Sequence, residues 1–261
     1  EKAQNALEAG AGALIVVNNE EGPLVIALDT PASIPVVGVA SADGPALRTA
    51  ADDGVTVAIV TGEESATGYN IIAKSADTSA CSVVVGGHYD SVFTTGGADD
   101  NASGTAAVLE VARVSAARGE QQGRCFVLFG AEEWGLFGSQ AYVDALPDAE
   151  LNAIRLMVNL DVVGVAGPLQ LIGPADTTEQ ARVVAEGLGI ETSRSQLTNG
   201  LGSDHLSFQR AGVPVLMLYR ADDLIHTPLD NMSRILPESL GEAATLALAV
   251  LDSLAPSSAS G

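Results

Sequence analysis

Five side chains spread over more than half of the chain, His88, Asp100, Glu133, Asp161 and His226, are of the types that ligate metal ions. Two imidazoles and three carboxylates suit two zinc-like ions if one carboxylate is shared. A sixth residue, Glu132, stands directly beside Glu133. Adjacent carboxylates repel, so burying both near a core strand is costly unless cations neutralise them. Their side chains also diverge, so one can bind metal while the other holds a proton. The chemistry such a set would perform is metal-dependent hydrolysis.

Each position also has a plainer reading. His88 lies in Gly86-Gly87-His88-Tyr89-Asp90-Ser91 after an apolar run. Asp90 could accept from its second ring nitrogen, but a turn with a surface histidine and a capping Asp fits as well. Asp100 lies in a Gly-rich segment, residues 96–104, that opens a helical pattern. Acidic helix capping explains one Asp there, while the paired glycines point to close backbone approach. Glu132 and Glu133, in Gly130-Ala131-Glu132-Glu133-Trp134-Gly135, could form a solvated acidic turn. Asp161 could be a turn former, and His226 a loop histidine. The conjunction is what carries weight. Four of the motifs follow strand-like runs, the fifth opens the first crossover helix, and all three histidines (the third is His205) lie in or near them.

The elements that must position these groups are short apolar runs at Tyr69–Ala73, Cys81–Val85, Cys125–Phe129, Leu156–Leu160 and Pro214–Tyr219. They read as buried strands of a mixed, mostly parallel sheet. Helical patterns at Ala102–Ala117, Gly138–Ala145, Thr178–Leu188 and Pro237–Leu251 alternate with them. The expected fold class is therefore α/β, a three-layer sandwich. Ahead of it, a helix over residues 3–9, strands at Ala13–Val17, Ile34–Val39 and Val55–Val60, and a helix at Ala46–Ala51 form a small α/β unit. The expected boundaries are 1–62 for this partial unit, 63–255 for the catalytic domain and 256–261 for a disordered Ser-rich tail, with Thr61–Thr67 as linker.

The 261 residues carry 33 Asp and Glu against 12 Lys and Arg, a formal charge of −21, which argues against nucleic-acid binding. No apolar run reaches the roughly 18 residues of a membrane span. Cys81 and Cys125 each fall seven residues before a candidate site residue, His88 and Glu132. On neighbouring parallel strands their sulfurs would lie at one height. A disulfide and two buried free thiols remain equal alternatives.

From about Thr67 to Leu254 the chain resembles the co-catalytic zinc aminopeptidases. That family includes secreted bacterial leucyl-type aminopeptidases and the glutamate carboxypeptidases. The resemblance is carried, in order, by GGHYDS, GADDNASG, GAEEWGLFGS, NLDVVG, GSDHLSF and IHTPLD. It implies two zinc ions per chain, with Asp100 bridging, His88 and Asp161 completing one position, and Glu133 and His226 the other. Glu132 would be the general base that activates a water between the zincs, and Asp90 would support His88. It also implies a cis Asp100–Asn101 bond and an extracellular or periplasmic location. Residues 1–62 resemble the second half of a protease-associated domain, and the family's usual N-terminal helix and first strand are not in this sequence. Two departures concern the oxyanion. Ile225 stands where several relatives have Tyr before the last metal histidine, and Gly202 stands where some have Arg before Ser203-Asp204-His205. Oxyanion stabilisation would fall more on the metals and on His205, with Asp204 beside it.

The resemblance implies cleavage of N-terminal peptide bonds from a peptide with a free N-terminus. A carboxypeptidase or dipeptidase on the same scaffold would need a cation for the substrate carboxylate, and Arg220 is the one candidate. A glutaminyl cyclase would use one zinc. A non-catalytic binding module, such as the transferrin receptor of the same superfamily, would be expected to lose ligands that this chain keeps.

Overall fold

A computed structural model describes residues 1–19, 24, 26, 28, 32–61, 66–195 and 202–254. The chain divides into two compact units, Glu1–Thr67 and Gly68–Gly261. The first contains α1 (Lys2–Glu8), β1 (Leu14–Val17), β2 (Val36–Val39) and α2 (Gly44–Asp52), with β1 and β2 paired in parallel. Val55–Val60, expected as a strand, is not one and is largely exposed. Its Val-rich pattern suits a sheet, but β-propensity is expressed only against a partner, and none pairs with it among the described residues. Positions 62–65 of the expected linker and the tail 256–261 lie outside the described residues.

The second unit runs β3 (Ile71–Lys74), β4 (Val83–His88), α3 (Gly104–Arg118), β5 (Arg124–Phe129), α4 (Phe137–Ala145), α5 (Asp148–Leu151), β6 (Leu156–Leu160), β7 (Leu169–Ile172), α6 (Ala175–Leu188), β8 (Thr192–Arg194), α7 (His205–Arg210), β9 (Val215–Tyr219) and α8 (Pro237–Ser253). The described strands form one mixed sheet in the order β3-β5-β4-β6-β9-β7-β8. The central β5, β4, β6 and β9 are mutually parallel, while β3 and β7 run antiparallel to their neighbours β5 and β9.

Alternation along the central strands divides the core into two faces. Val83, Val85, Val158 and Leu216 pack with Val108 and Val111 of α3, Ala181 of α6 and Leu246 of α8. Val84, Val127 and Met157 pack on the opposite face with Tyr142 of α4 and Phe208 of α7. Both faces are covered, which is why these strands are near-continuous apolar runs. The result is the expected three-layer α/β sandwich.

Cys81 and Cys125 are joined in a disulfide, with their Cα atoms 5.6 Å apart. The equal-height expectation does not account for it. The register pairs Cys125 with Val84, and Cys81 meets it from the segment just ahead of β4. No described helix is long and apolar enough to cross a membrane.

Candidate metal centre

The candidate donors gather at the carboxyl ends of the central strands, where parallel sheets of this kind present their sites. His88 is the last residue of β4 and is 1% exposed. Gly86 and Gly87 before it allow the neighbours in: a Cβ on Gly86 would lie 2.5 Å from the Phe129 ring, and one on Gly87 would lie 2.5 Å from the Leu160 carbonyl. Asp161 follows β6 directly, and its amide donates to Leu218 O of β9 at 3.1 Å. Glu132 and Glu133 follow β5 after Gly130 and Ala131. Asp100 sits in an irregular turn, Ala98–Ser103, ahead of α3, and its bond to Asn101 is cis, as the resemblance implies. His226 lies in the loop after β9, and its side chain is 51% exposed.

Among the described residues, three of the four non-glycine ones with left-handed backbone are at this site: Ala131 (φ 57°), Val162 (φ 54°) and His226 (φ 60°). A β-branched residue such as Val162 avoids that region unless its surroundings over-determine it. Here they do, because its amide donates to Asn101 Oδ1 at 3.3 Å and its carbonyl accepts from the Arg220 amide at 2.7 Å.

The side chains converge. His88 Nε2 lies 3.2 Å from Asp161 Oδ1 and 3.2 Å from Asp100 Oδ1. His226 Nε2 lies 2.9 Å from Asp100 Oδ2 and 3.1 Å from Glu133 Oε2. Asp100 therefore turns one oxygen to each histidine. Donor atoms of His88, Asp100 and Glu133 fall within 4.8 Å of one another, as do those of His88, Glu132 and Asp161.

The electrostatics describe a cluster short of positive charge. No Lys or Arg nitrogen lies within 4.0 Å of these carboxylates among the described residues. Burial pushes the Glu132 carboxyl up to about 9, with Asp161, Asp204 and Glu133 adding to the rise and His88 opposing it. Burial also works against a charged His88, but Asp161, Asp100 and Asp90 outweigh it and raise its pKa well above the usual value. Hydrogen bonds to Asp100 and Glu133 lift His226 to about 10. Burial would raise Asp100, yet the two histidines hold it at about 2. Glu133 Oε1 is buried with no partner among the described residues. An orphaned buried oxygen, imidazole and carboxylate donors and uncompensated negative charge all fit divalent cations.

Supporting carboxylates and amides hold the donor loops. The Asp90 carboxylate accepts from the Glu132 and Glu133 amides at 3.1 and 3.3 Å. His88 Nδ1 lies 3.0 Å from the Asp90 backbone carbonyl, while Asp90 Oδ1 is 3.7 Å away. The Asp90 carboxylate thus stays within ion-pair reach of His88 while its shorter hydrogen bonds go to the next loop. Asn101 donates to Leu160 O at 3.0 Å and accepts from the Gly104 and Val162 amides. Asp204 and His205, at the start of α7, are both buried, and no hydrogen bond joins their side chains to the six converging groups. Burial raises Asp204 to about 7 and lowers His205 to about 4, so His205 is neutral at ordinary pH. Ile225 is half-buried beside His226 and offers no polar side-chain atom. Arg220 is buried and bonded to Gly167 O and Glu242, so it is not free to meet a substrate carboxylate. Sequence reasoning assigned no role to Asn101 or Asp230, whose side chains are tied chiefly to segments distant along the chain. A buried polar residue beside a donor is the one signal that could have marked them.

Residues 70–251 match the model of peptidase family M28, and residues 1–47 match that of the PA domain. The chain is 36% identical over 269 residues to aminopeptidase YwaD of Bacillus subtilis (strain 168), covering 96% of this chain and 59% of that protein. It is 41% identical over 168 residues to leupeptin-inactivating enzyme 1 of Streptomyces exfoliatus, covering 62% and 38%. Among solved structures, a zinc aminopeptidase from Bacillus subtilis superposes with a TM-score of 0.80 at 33% identity, covering 97% of this chain and 66% of that one. An aminopeptidase from Aneurinibacillus sp. strain AM-1 superposes at 0.77 with 31% identity, covering 96% and 65%. The chain therefore spans less than two thirds of these relatives' own length.

Proposed function

Because the chain belongs to peptidase family M28, we propose that it is a zinc-dependent aminopeptidase hydrolysing the N-terminal bond of a peptide. The observation that carries this reading is the position of Asp100, whose two oxygens face two different histidines, His88 and His226. That arrangement supports two ions with Asp100 shared, His88 and Asp161 on one and Glu133 and His226 on the other. When bound, zinc supplies Lewis acidity that lowers the pKa of a water and polarises the scissile carbonyl.

The chain's own residues do the rest. Glu132 takes the proton of the attacking water on a carboxylate oxygen and returns it to the leaving amine. Burial makes it hold a proton in the cation-free cluster, and neighbouring cations would favour the charged form that can accept one. The surrounding carboxylates favour a cationic substrate N-terminus. Engagement of Arg220 by Gly167 and Glu242 favours an aminopeptidase over a carboxypeptidase. Neutral His205 remains our candidate for additional support of the oxyanion. The Cys81–Cys125 disulfide supports an extracellular or periplasmic location, to be checked by cell fractionation.

A Glu132 oxygen lies close enough to His88 and Asp161 to be a ligand instead, so Glu132→Ala is the informative variant. It should lower kcat on an aminoacyl-nitroanilide by about 10²–10⁴-fold while the zinc content stays unchanged. Loss of zinc would reassign Glu132 as a ligand. A carboxyl-blocked dipeptide should be cleaved and an amino-blocked one spared; the reverse pattern would make the protein a carboxypeptidase.

A further inference from the structure

We propose that Asp230 is a positioning residue: it holds the loop of the exposed His226 against the turn carrying Asp100, and so sets zinc affinity at the position shared by Asp100, Glu133 and His226. The proposal rests on the two-metal reading above. Asp230 is fully buried, four residues beyond His226. No cationic nitrogen lies within 4.0 Å of it among the described residues. Its charge is spent on the Asp100 turn instead. Oδ1 accepts from the Asp99 amide at 2.7 Å, and Oδ2 accepts from the Asp100 amide at 3.2 Å and from Thr95 Oγ1 at 3.3 Å. Hydrogen bonds to an ionised acceptor are about twice as strong as neutral ones.

A second stitch runs beside the first, where Thr94 Oγ1 donates to the His226 carbonyl at 3.1 Å. The two segments are in backbone contact, since a Cβ on Gly96 would lie 2.9 Å from the Asp230 carbonyl. Within its own loop, the Asp230 amide donates to Thr227 O at 3.1 Å.

His226 needs such a device. His88 and Asp161 sit at the ends of β4 and β6, and sheet register fixes them. His226 has no strand beneath it, is half-exposed, and holds a left-handed backbone that residues other than glycine adopt uncommonly. Without Asp230, the hydrogen bond from Thr94 Oγ1 is what still ties the His226 backbone to the segment leading into the Asp100 turn.

The test is zinc titration of the metal-free full chain by calorimetry. Unaltered protein should show two binding events. In Asp230→Asn, one should weaken by about 10–100-fold and the other should stay within about twofold, while hydrogen exchange quickens over 94–100 and 226–230. A merely structural role would not divide the two events. Both unchanged, or both weakened together with a lower Tm of the metal-free protein, would overturn the proposal. If Asp230→Asn does not fold, Thr94→Val and Thr95→Val carry the test, and each must weaken the same single event. One event in the unaltered protein would remove the two-metal reading itself, which sets that failure apart from failure of the Asp230 role.

Discussion

The two halves of the donor cluster are built differently. His88 and Asp161 stand at the ends of adjacent central strands, and both are buried. Glu133 and His226 come from loops, and half of the His226 side chain meets solvent. On the strand-borne half, ladder hydrogen bonds and core packing already fix the backbone. On the loop-borne half, position depends on side chains that cap backbone amides: Asp90 for Glu132 and Glu133, and Asp230 for Asp99 and Asp100. A sheet positions ligands as a by-product of folding, whereas a loop requires dedicated polar contacts to do so.

The largest expected difference between the halves is in the stability of the metal-free protein. His88→Ala removes a buried imidazole from between Asp161 and Asp100 and should cost about 3–5 kcal/mol. His226→Ala acts where solvent replaces the lost contacts and should cost at most about 1 kcal/mol. Both should lose zinc and activity. Urea unfolding of the two variants measures the difference, and equal losses would mean the halves are not distinct.

The same division governs what could be read in the sequence. The strand-borne half was plain because β4, β5, β6 and β9 are buried on both faces and leave unbroken Val and Leu runs. Leu156–Leu160 was expected with the bounds the structure gives it. β7 and β8 were missed: Leu169–Ile172 is four residues long, and Thr192–Arg194 is polar, so neither has a run to detect. Val55–Val60 failed in the opposite sense, with the run but no pairing strand. Four of the five candidate donors were legible through their place after strand-like runs, and Asp100 through the glycine-rich opening of a helical pattern. Asp230 and Asn101 were not, since apart from the local Asn101–Gly104 bond their side-chain partners lie 59 to 135 residues away along the chain.

Asn101→Ala should give a middling effect, because Asn101 ties the Asp100 turn to the strand-borne half. Truncation leaves the buried Leu160 carbonyl and the Gly104 and Val162 amides without this partner. A cost of about 1–3 kcal/mol is expected, read as a lower urea midpoint at unchanged slope. If Asn101→Ala instead lowers zinc affinity with no loss of stability, the strand-borne half also depends on a dedicated contact, and the contrast narrows.

The subtlest contrast is with pH. In metal-free protein His226 is raised to about 10 by its hydrogen bonds to Asp100 and Glu133, and Glu132 is raised to about 9 chiefly by burial. Both hold protons more tightly folded than unfolded, so stability falls as pH rises through the window between their unfolded and folded values. The His226 contribution is complete below about 6.5 and is lost towards pH 10; the Glu132 contribution is lost between about 4.5 and 9. Asp100, held at about 2, has the opposite sign, and its contribution is lost only as pH falls through that value. It therefore adds no slope above pH 5. Bound zinc requires neutral imidazoles and charged carboxylates, so the Tm gap between zinc-loaded and metal-free protein should widen from pH 5 to pH 10. His226→Ala should flatten only part of the metal-free decline, because the Glu132 part and the part from the raised His88 remain. Scanning calorimetry of both forms across that range decides it, and a metal-free Tm that stays level or rises would mean that the exposed histidine is not held by its two carboxylates.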